Sequence, residues 1–144
     1  MEKPPLAKVL IVDDEERNRR LLDVFAKADG YATVAAADGE TALALVLSES
    51  PDIILLDLMM PGMDGFEVAR WLKSNHLTSS IPIIIVTALE DVASHRRMLA
   101  SGADEFINKP VDRWELSMRI AKLLQHRAGS STDPPSAKDE ASNG

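Results

Sequence analysis

Three uninterrupted apolar runs, Val9-Leu10-Ile11-Val12, Ile53-Ile54-Leu55-Leu56 and Ile83-Ile84-Ile85-Val86, constrain this chain more than any other feature. A strand with one wet face alternates apolar and polar residues. A run with no alternation belongs to a strand covered on both faces, the condition met by parallel sheets flanked by helices. Each run also stops abruptly at a polar residue: the first at Asp13-Asp14-Glu15-Glu16, the second at Asp57 and the third at Thr87. None approaches the roughly 20 apolar residues that a membrane-spanning helix needs.

Helical patterns separate the runs. After the first, Leu21, Leu22, Phe25 and Ala28 recur at helical spacing among Arg17, Arg19, Arg20 and Lys27, predicting a helix over about 15 to 28 that Gly30 stops. Tyr31 to Ala36 reads as a second, weaker strand, and the Asp38-Gly39 turn opens a helix over Thr41 to Ser48. Strand three is Asp52 to Asp57. A loop with one Pro and two Gly then leads to a helix over about Phe66 to Asn75. Strand four spans Ile81 to Thr87, with Pro82 at its start, where a missing N–H does least harm. A helix over about Asp91 to Ser101 closes at Gly102, and strand five is Glu105 to Asn108. The last helix runs from Asp112 to about Gln125, with Trp114, Leu116, Ile120, Leu123 and Leu124 as its apolar positions. Five strand–helix units predict an α/β fold with a five-stranded parallel sheet, doubly wound.

Composition bounds the function. At 144 residues and 45% hydrophobic content the chain holds one ordinary core. Sixteen Lys and Arg against 23 Asp and Glu give a net charge of −7, which argues against general affinity for nucleic-acid phosphates or an anionic membrane surface. DNA contact would need a fused domain. Without cysteine there is no thiolate zinc site, iron–sulfur cluster or cysteine nucleophile, which fits a reducing cytoplasm. The Pro4-Pro5 start lacks the long apolar segment of a secretory signal. The expected organisation is an N-terminal extension over 1–7 and a domain over 8–126. From 127 to 144 the chain lacks large apolar residues and reads as a disordered tail or a linker to an output domain.

In an open parallel sheet, ligands bind beyond the carboxyl ends of the strands. Asp13, Asp14, Asp57, Thr87 and Lys109 stand at four such ends, while strand two contributes no charge, as suits an edge. Singly these residues have ordinary explanations: an Asp after a strand often caps a helix, and a lone Lys is usually a solvated charge. Together, three carboxylates at one rim repel one another unless a hard cation neutralises them. Oxygen donors without His or Cys favour Mg²⁺ or Mn²⁺ over Zn²⁺. A carboxylate beside such a cation, with a hydroxyl and an ammonium facing it, has the parts for phosphoryl transfer onto Asp. Asp57 is the best acceptor candidate because it stands alone at its strand end, whereas Asp13 and Asp14 pair as cation holders.

Ile11-Val12-Asp13-Asp14-Glu15, Leu55-Leu56-Asp57-Leu58-Met59-Met60-Pro61-Gly62-Met63-Asp64-Gly65, Val86-Thr87-Ala88 and Asn108-Lys109-Pro110 closely resemble the receiver domain of two-component response regulators, over roughly residues 8 to 126. The resemblance implies the flavodoxin-like strand order 2-1-3-4-5. It implies that Asp57 is the phosphoacceptor and that Asp14, Asp57 and the Met59 carbonyl ligate Mg²⁺, with Asp13 holding the ion through water. Thr87 and Lys109 would bind the phosphoryl group, and the Lys109-Pro110 bond would be cis, which proline alone makes inexpensive. It further implies a switch in which Thr87 moves toward the phosphoryl group and the ring of Phe106 rotates inward, altering the face made by helix four, strand five and helix five. Phe106 replaces the Tyr of many relatives and lacks its hydroxyl. Met59 and Leu89 flank the phosphoryl position, and neither can orient an attacking water, which implies a long-lived phosphoryl state.

The implied partners are a sensor histidine kinase or a histidine phosphotransfer domain, together with an output partner or fused output domain. Dimerisation through the helix-four to helix-five face accompanies that picture. The Asn108-Lys109-Pro110-Val111-Asp112 stretch and the loop after Asp57 look most like receivers attached to cyclic-di-GMP enzymes. The chain then acts as a cytoplasmic switch rather than an enzyme, limited to accepting a phosphoryl group and slowly losing it. Two other readings compete: a pseudo-receiver that binds partners without phosphorylation, and a haloacid-dehalogenase-like phosphohydrolase. The second expects an acid/base Asp two residues after the nucleophile, where this chain has Met59. Arg17, Arg19 and Arg20 suit either docking of the phosphodonor or pairing such as Glu15 with Arg19 and Glu16 with Arg20. His76, His95 and His126 read as surface residues, which leaves the phosphodonor histidine to a partner.

Overall fold

The computed structural model describes residues 4–132. Five strands, β1 (Lys8–Val12), β2 (Ala32–Ala36), β3 (Ile53–Asp57), β4 (Ile83–Thr87) and β5 (Glu105–Asn108), alternate with five helices, α1 (Glu16–Ala28), α2 (Gly39–Glu49), α3 (Gly65–Ser74), α4 (Val92–Ala100) and α5 (Arg113–Thr132). The strands form one parallel sheet in the order β2-β1-β3-β4-β5. The expected architecture is therefore the observed one, with β2 at an edge.

The apolar runs explain the layering. Successive side chains of a strand leave opposite faces, so a run of four serves two cores. Leu10, Val12, Ile54, Leu56, Ile83 and Ile85 pack with Ala42, Val46, Phe66, Val68, Leu72 and Met98 of α2, α3 and α4. Val9, Ile11, Ile53, Leu55, Ile84 and Val86 pack with Leu22 and Ala26 of α1 and Leu116 and Ile120 of α5. Every residue of β3 and β4 is buried.

Two expectations for α5 need correction. Trp114 does not join the apolar face; it is 66% exposed, beneath the guanidinium of Arg113. Leu116, Ile120, Leu123 and Leu124 recur at helical spacing on one stripe, and a residue two positions before Leu116 lies on the far side of that stripe. The helix also continues past Gln125 to Thr132. Arg127 holds this extension, donating from Nη1 to the Asp52 carbonyl at 3.0 Å and lying 3.6 Å from the Asp52 carboxylate. Residues 127–132 are thus helical, and the rest of the expected tail, 133–144, lies outside the described residues, as do residues 1–3 of the expected extension.

Candidate functional site

Parallel pairing brings the carboxyl ends of β1, β3, β4 and β5 to one rim. Register places Val12 beside Leu56, Asp57 beside Val86 and Thr87 beside Asn108, so the next residues of these strands emerge together. Carboxylate oxygens of Asp13, Asp14 and Asp57 all lie within 4.8 Å of one another, with Asp13 and Asp57 buried and Asp14 exposed. Into this cluster reaches Lys109, its Nζ 3.1 Å from Asp57 Oδ1 and 3.5 Å from Asp13 Oδ2. The Lys109 N–H donates to the Thr87 carbonyl at 2.8 Å, and the Lys109–Pro110 peptide is cis.

One ammonium faces three carboxylates, and the pKa directions follow. Burial pushes Asp57 above the ordinary carboxylate range, the charge of Asp13 pushes it further, and Lys109 only partly opposes them. Burial pulls Lys109 down, but the Asp57 and Asp13 carboxylates, by charge and hydrogen bonding together, outweigh it and hold the ammonium above its usual value. The rim therefore carries negative charge in excess of what the protein neutralises. Its donors are all oxygen, two of them on buried side chains within reach of a third, and that set fits a small hard divalent cation.

The surrounding contacts fix the positions of these groups. The Asp13 carboxylate accepts from the Glu15 N–H at 2.9 Å, and its carbonyl accepts from Arg19 Nη1 at 2.7 Å. Arg19 thus braces the rim through the backbone instead of pairing with Glu15, whose carboxylate takes Asn18. The expected Glu16–Arg20 pair is present at 2.7 Å. Thr87 is fully buried, and its Oγ1 accepts from the Leu89 N–H at 3.0 Å. Met59, in the loop beyond Asp57, exposes 65% of its surface, while Met60 beside it is buried.

Gly65 decides how that loop closes. A Cβ there would lie 2.4 Å from the Asp57 carbonyl oxygen and 2.8 Å from Leu58 Cα, so only glycine lets α3 start this close to β3. Asp64 caps α3, accepting from the Glu67 N–H at 3.0 Å while Glu67 Oε1 accepts from the Asp64 N–H at 2.9 Å. Asp64-Gly65 reads in sequence as a turn, and both the capping box and the close approach depend on where β3 ends.

Phe106, on β5, packs at the margin of the α2–α3–α4 core. The three histidines do not behave alike. His76 and His126 are exposed as expected, but His95 is half-buried with its ring on Phe106, centroids 4.8 Å apart. The packing of α4 against β5 turns His95 inward.

The family model described as response regulator receiver domain matches residues 9–121. Response regulator PleD of Caulobacter vibrioides is 46% identical over 121 residues, 84% of this chain and 27% of that protein. The phosphate regulon transcriptional regulatory protein PhoB of Pseudomonas aeruginosa is 38% identical over 127 residues, 88% of this chain and 56% of that protein. This chain therefore spans about a quarter of the first relative and just over half of the second. Among solved structures, a response regulator from Chloroflexus aurantiacus superposes with a TM-score of 0.80 at 31% identity, covering 85% of this chain and 99% of the other.

Proposed function

Because this chain belongs to the response regulator receiver domain family, we propose that it accepts a phosphoryl group on Asp57 and passes the change in charge to the face formed by α4, β5 and α5. The observation that carries this reading is Lys109 Nζ set between the buried carboxylates of Asp57 and Asp13, at the rim where four strands end.

An oxygen of the Asp57 carboxylate forms the new P–O bond while the donor's bond to phosphorus breaks, and the leaving group departs with its electron pair. Donation from a phosphohistidine of a sensor kinase or phosphotransfer domain fits this chemistry, since the phosphodonor is then a nitrogen leaving group supplied in trans. Asp14, Asp57 and the Met59 carbonyl would hold Mg²⁺, with Asp13 placed to hold it through water. Mg²⁺ bound there supplies positive charge against the acceptor and phosphoryl oxygens. Lys109 trades its contact with Asp57 for one with a phosphoryl oxygen, and the Thr87 hydroxyl binds another. The Thr87 hydroxyl, which accepts from the Leu89 N–H, has its own hydrogen free to donate to that oxygen, and its movement toward the phosphoryl group changes the space beside Phe106. Later attack of water on phosphorus returns the carboxylate and releases phosphate. The apolar Met59 and Leu89 give that water no hydrogen-bonding guide, which favours slow loss.

Val92, Leu99 and Met118 are exposed on α4 and α5, which supports self-association or output docking on this face. No helix among the described residues is long and apolar enough to cross a membrane.

Intact-protein mass after incubation with acetyl phosphate and Mg²⁺, for the parent chain and Asp57→Asn, tests the reading. One added phosphoryl group that needs Mg²⁺ and is lost in Asp57→Asn supports it. No adduct under conditions that label another receiver overturns it in favour of a non-phosphorylated binding module. Donor turnover without a trapped adduct points to a hydrolase.

A further inference from the structure

One polar atom on the switch face is left unserved. His95 Nε2 on α4 is buried and has no hydrogen-bond partner among the described residues. The carboxylates of Asp91 and Glu105 are committed elsewhere. The Asp91 carboxylate, one turn earlier, accepts from both the N–H and the hydroxyl of Ser94. Glu105 of β5 is drawn to Arg119 and Lys122. The other buried atom of this kind, Arg113 Nε, belongs to a guanidinium that still pairs with Asp29 and covers Trp114. The imidazole has instead an aromatic ring against it, that of Phe106, at 4.8 Å and tilted by 44°.

A buried polar atom without a partner carries a desolvation penalty that an apolar group of the same size does not. Here the penalty sits against the side chain whose movement would report phosphorylation. The Phe106 ring lies against the imidazole, so a displacement of that ring that opens Nε2 to water would leave the penalty on one conformation and not on the other. A group with different free energies in two states shifts their populations.

We propose that His95 is a positioning residue of the switch: stacked on Phe106, it burdens the resting conformation with an unpaired Nε2 and so biases the molecule toward the conformation in which that ring has moved. The inference rests on the phosphoryl-driven switch proposed above.

The test compares the full chain with His95→Leu and His95→Gln, using Mg²⁺ with beryllofluoride as a stable phosphoryl mimic. Leu fills similar space and has nothing to satisfy, so the unliganded variant melts at the parent temperature or higher. Because its resting state is relieved, its apparent beryllofluoride affinity falls about three- to tenfold, while Gln keeps the affinity near the parent value. A side chain that only fills space would lower the melting temperature and leave the affinity alone. Equal or tighter binding by His95→Leu overturns the inference.

A second measurement needs no variant. The ¹⁵N resonance of His95 Nε2 in the parent chain shifts when beryllofluoride binds, and an unchanged resonance overturns the inference even if His95→Leu does not fold. Failure of the parent chain to bind beryllofluoride at all would instead remove the phosphoryl switch, and this inference with it.

Discussion

Asp57 is held in a place where its own charge is unwelcome. It is buried beside Asp13, and the single ammonium of Lys109 is shared between them. In EDTA, Asp57→Asn should therefore raise the melting temperature, since the amide removes one of three converging charges. Added Mg²⁺ should stabilise the parent chain more than the variant, by preferential binding to the folded state. Calorimetry of both proteins with and without Mg²⁺ checks this, and equal Mg²⁺ responses would refute a cation site built on Asp57. Gly65 is a second residue under tight control. Gly65→Ala drives a methyl into the Asp57 carbonyl oxygen and Leu58 Cα, backbone atoms that yield only by moving the acceptor strand. A loss of about 1–3 kcal/mol in urea unfolding is expected, the usual cost of overpacking, together with slower labelling of Asp57. Three carboxylates, a threonine and a lysine at strand ends were legible in the sequence. The brace from Arg19 to the Asp13 carbonyl and the inward ring of His95 were not, because both depend on which helix face meets the sheet.

Helix starts are where individual elements carry their own signals. Asp38, Asp64 and Asp91 each accept from a backbone N–H three residues on. For Asp38 and Asp91 the hydrogen bond from that N–H is the main reason their carboxyls sit below the usual range. A carboxyl whose folded pKa is depressed contributes stability that is fully present above its unfolded pKa and is lost as pH falls through the folded one. Thermal melts from pH 7 down to pH 3 should thus show a decline that is shallower in Asp38→Asn/Asp91→Asn, where a neutral amide keeps the cap. Asp64→Ala removes the side-chain half of the capping box, the acceptor for the Glu67 N–H, and should cost about 0.5–2 kcal/mol, measured by urea unfolding. Most element boundaries are readable to within two residues because Gly, Pro and Asp punctuate them. The end of α5 is the exception: composition predicted a tail from 127, and the anchor that extends the helix, Arg127 on Asp52, spans 75 residues of sequence.

At the scale of the whole molecule, the two cores bury the sheet, but Val92, Leu99 and Met118 stay on the surface of α4 and α5, with Leu99 and Met118 each 69% exposed. Apolar side chains exposed on α4 and α5 gain by being covered. Sedimentation of the full chain with Mg²⁺, with and without beryllofluoride, should show a rise in mass or a concentration dependence only with the mimic. Substituting Leu99 and Met118 by Ser should abolish it; unchanged monomer in both conditions would assign the face to another partner.

What the sequence by itself determined is the layered α/β plan and the chemical inventory of the rim. Unbroken apolar runs leave a strand no choice but burial on both faces, and the residue that ends each run emerges at a common edge once the strands are parallel. What only the tertiary structure decided is which of those groups touch. Register brings Asp13, Asp14 and Asp57 within one ion's reach. The turn after β5 carries Lys109 between two of them, and the seating of α4 on β5 places His95 on Phe106. Local sequence encodes the direction and burial of each element, whereas contacts between elements depend on distances set by all the elements packing at once.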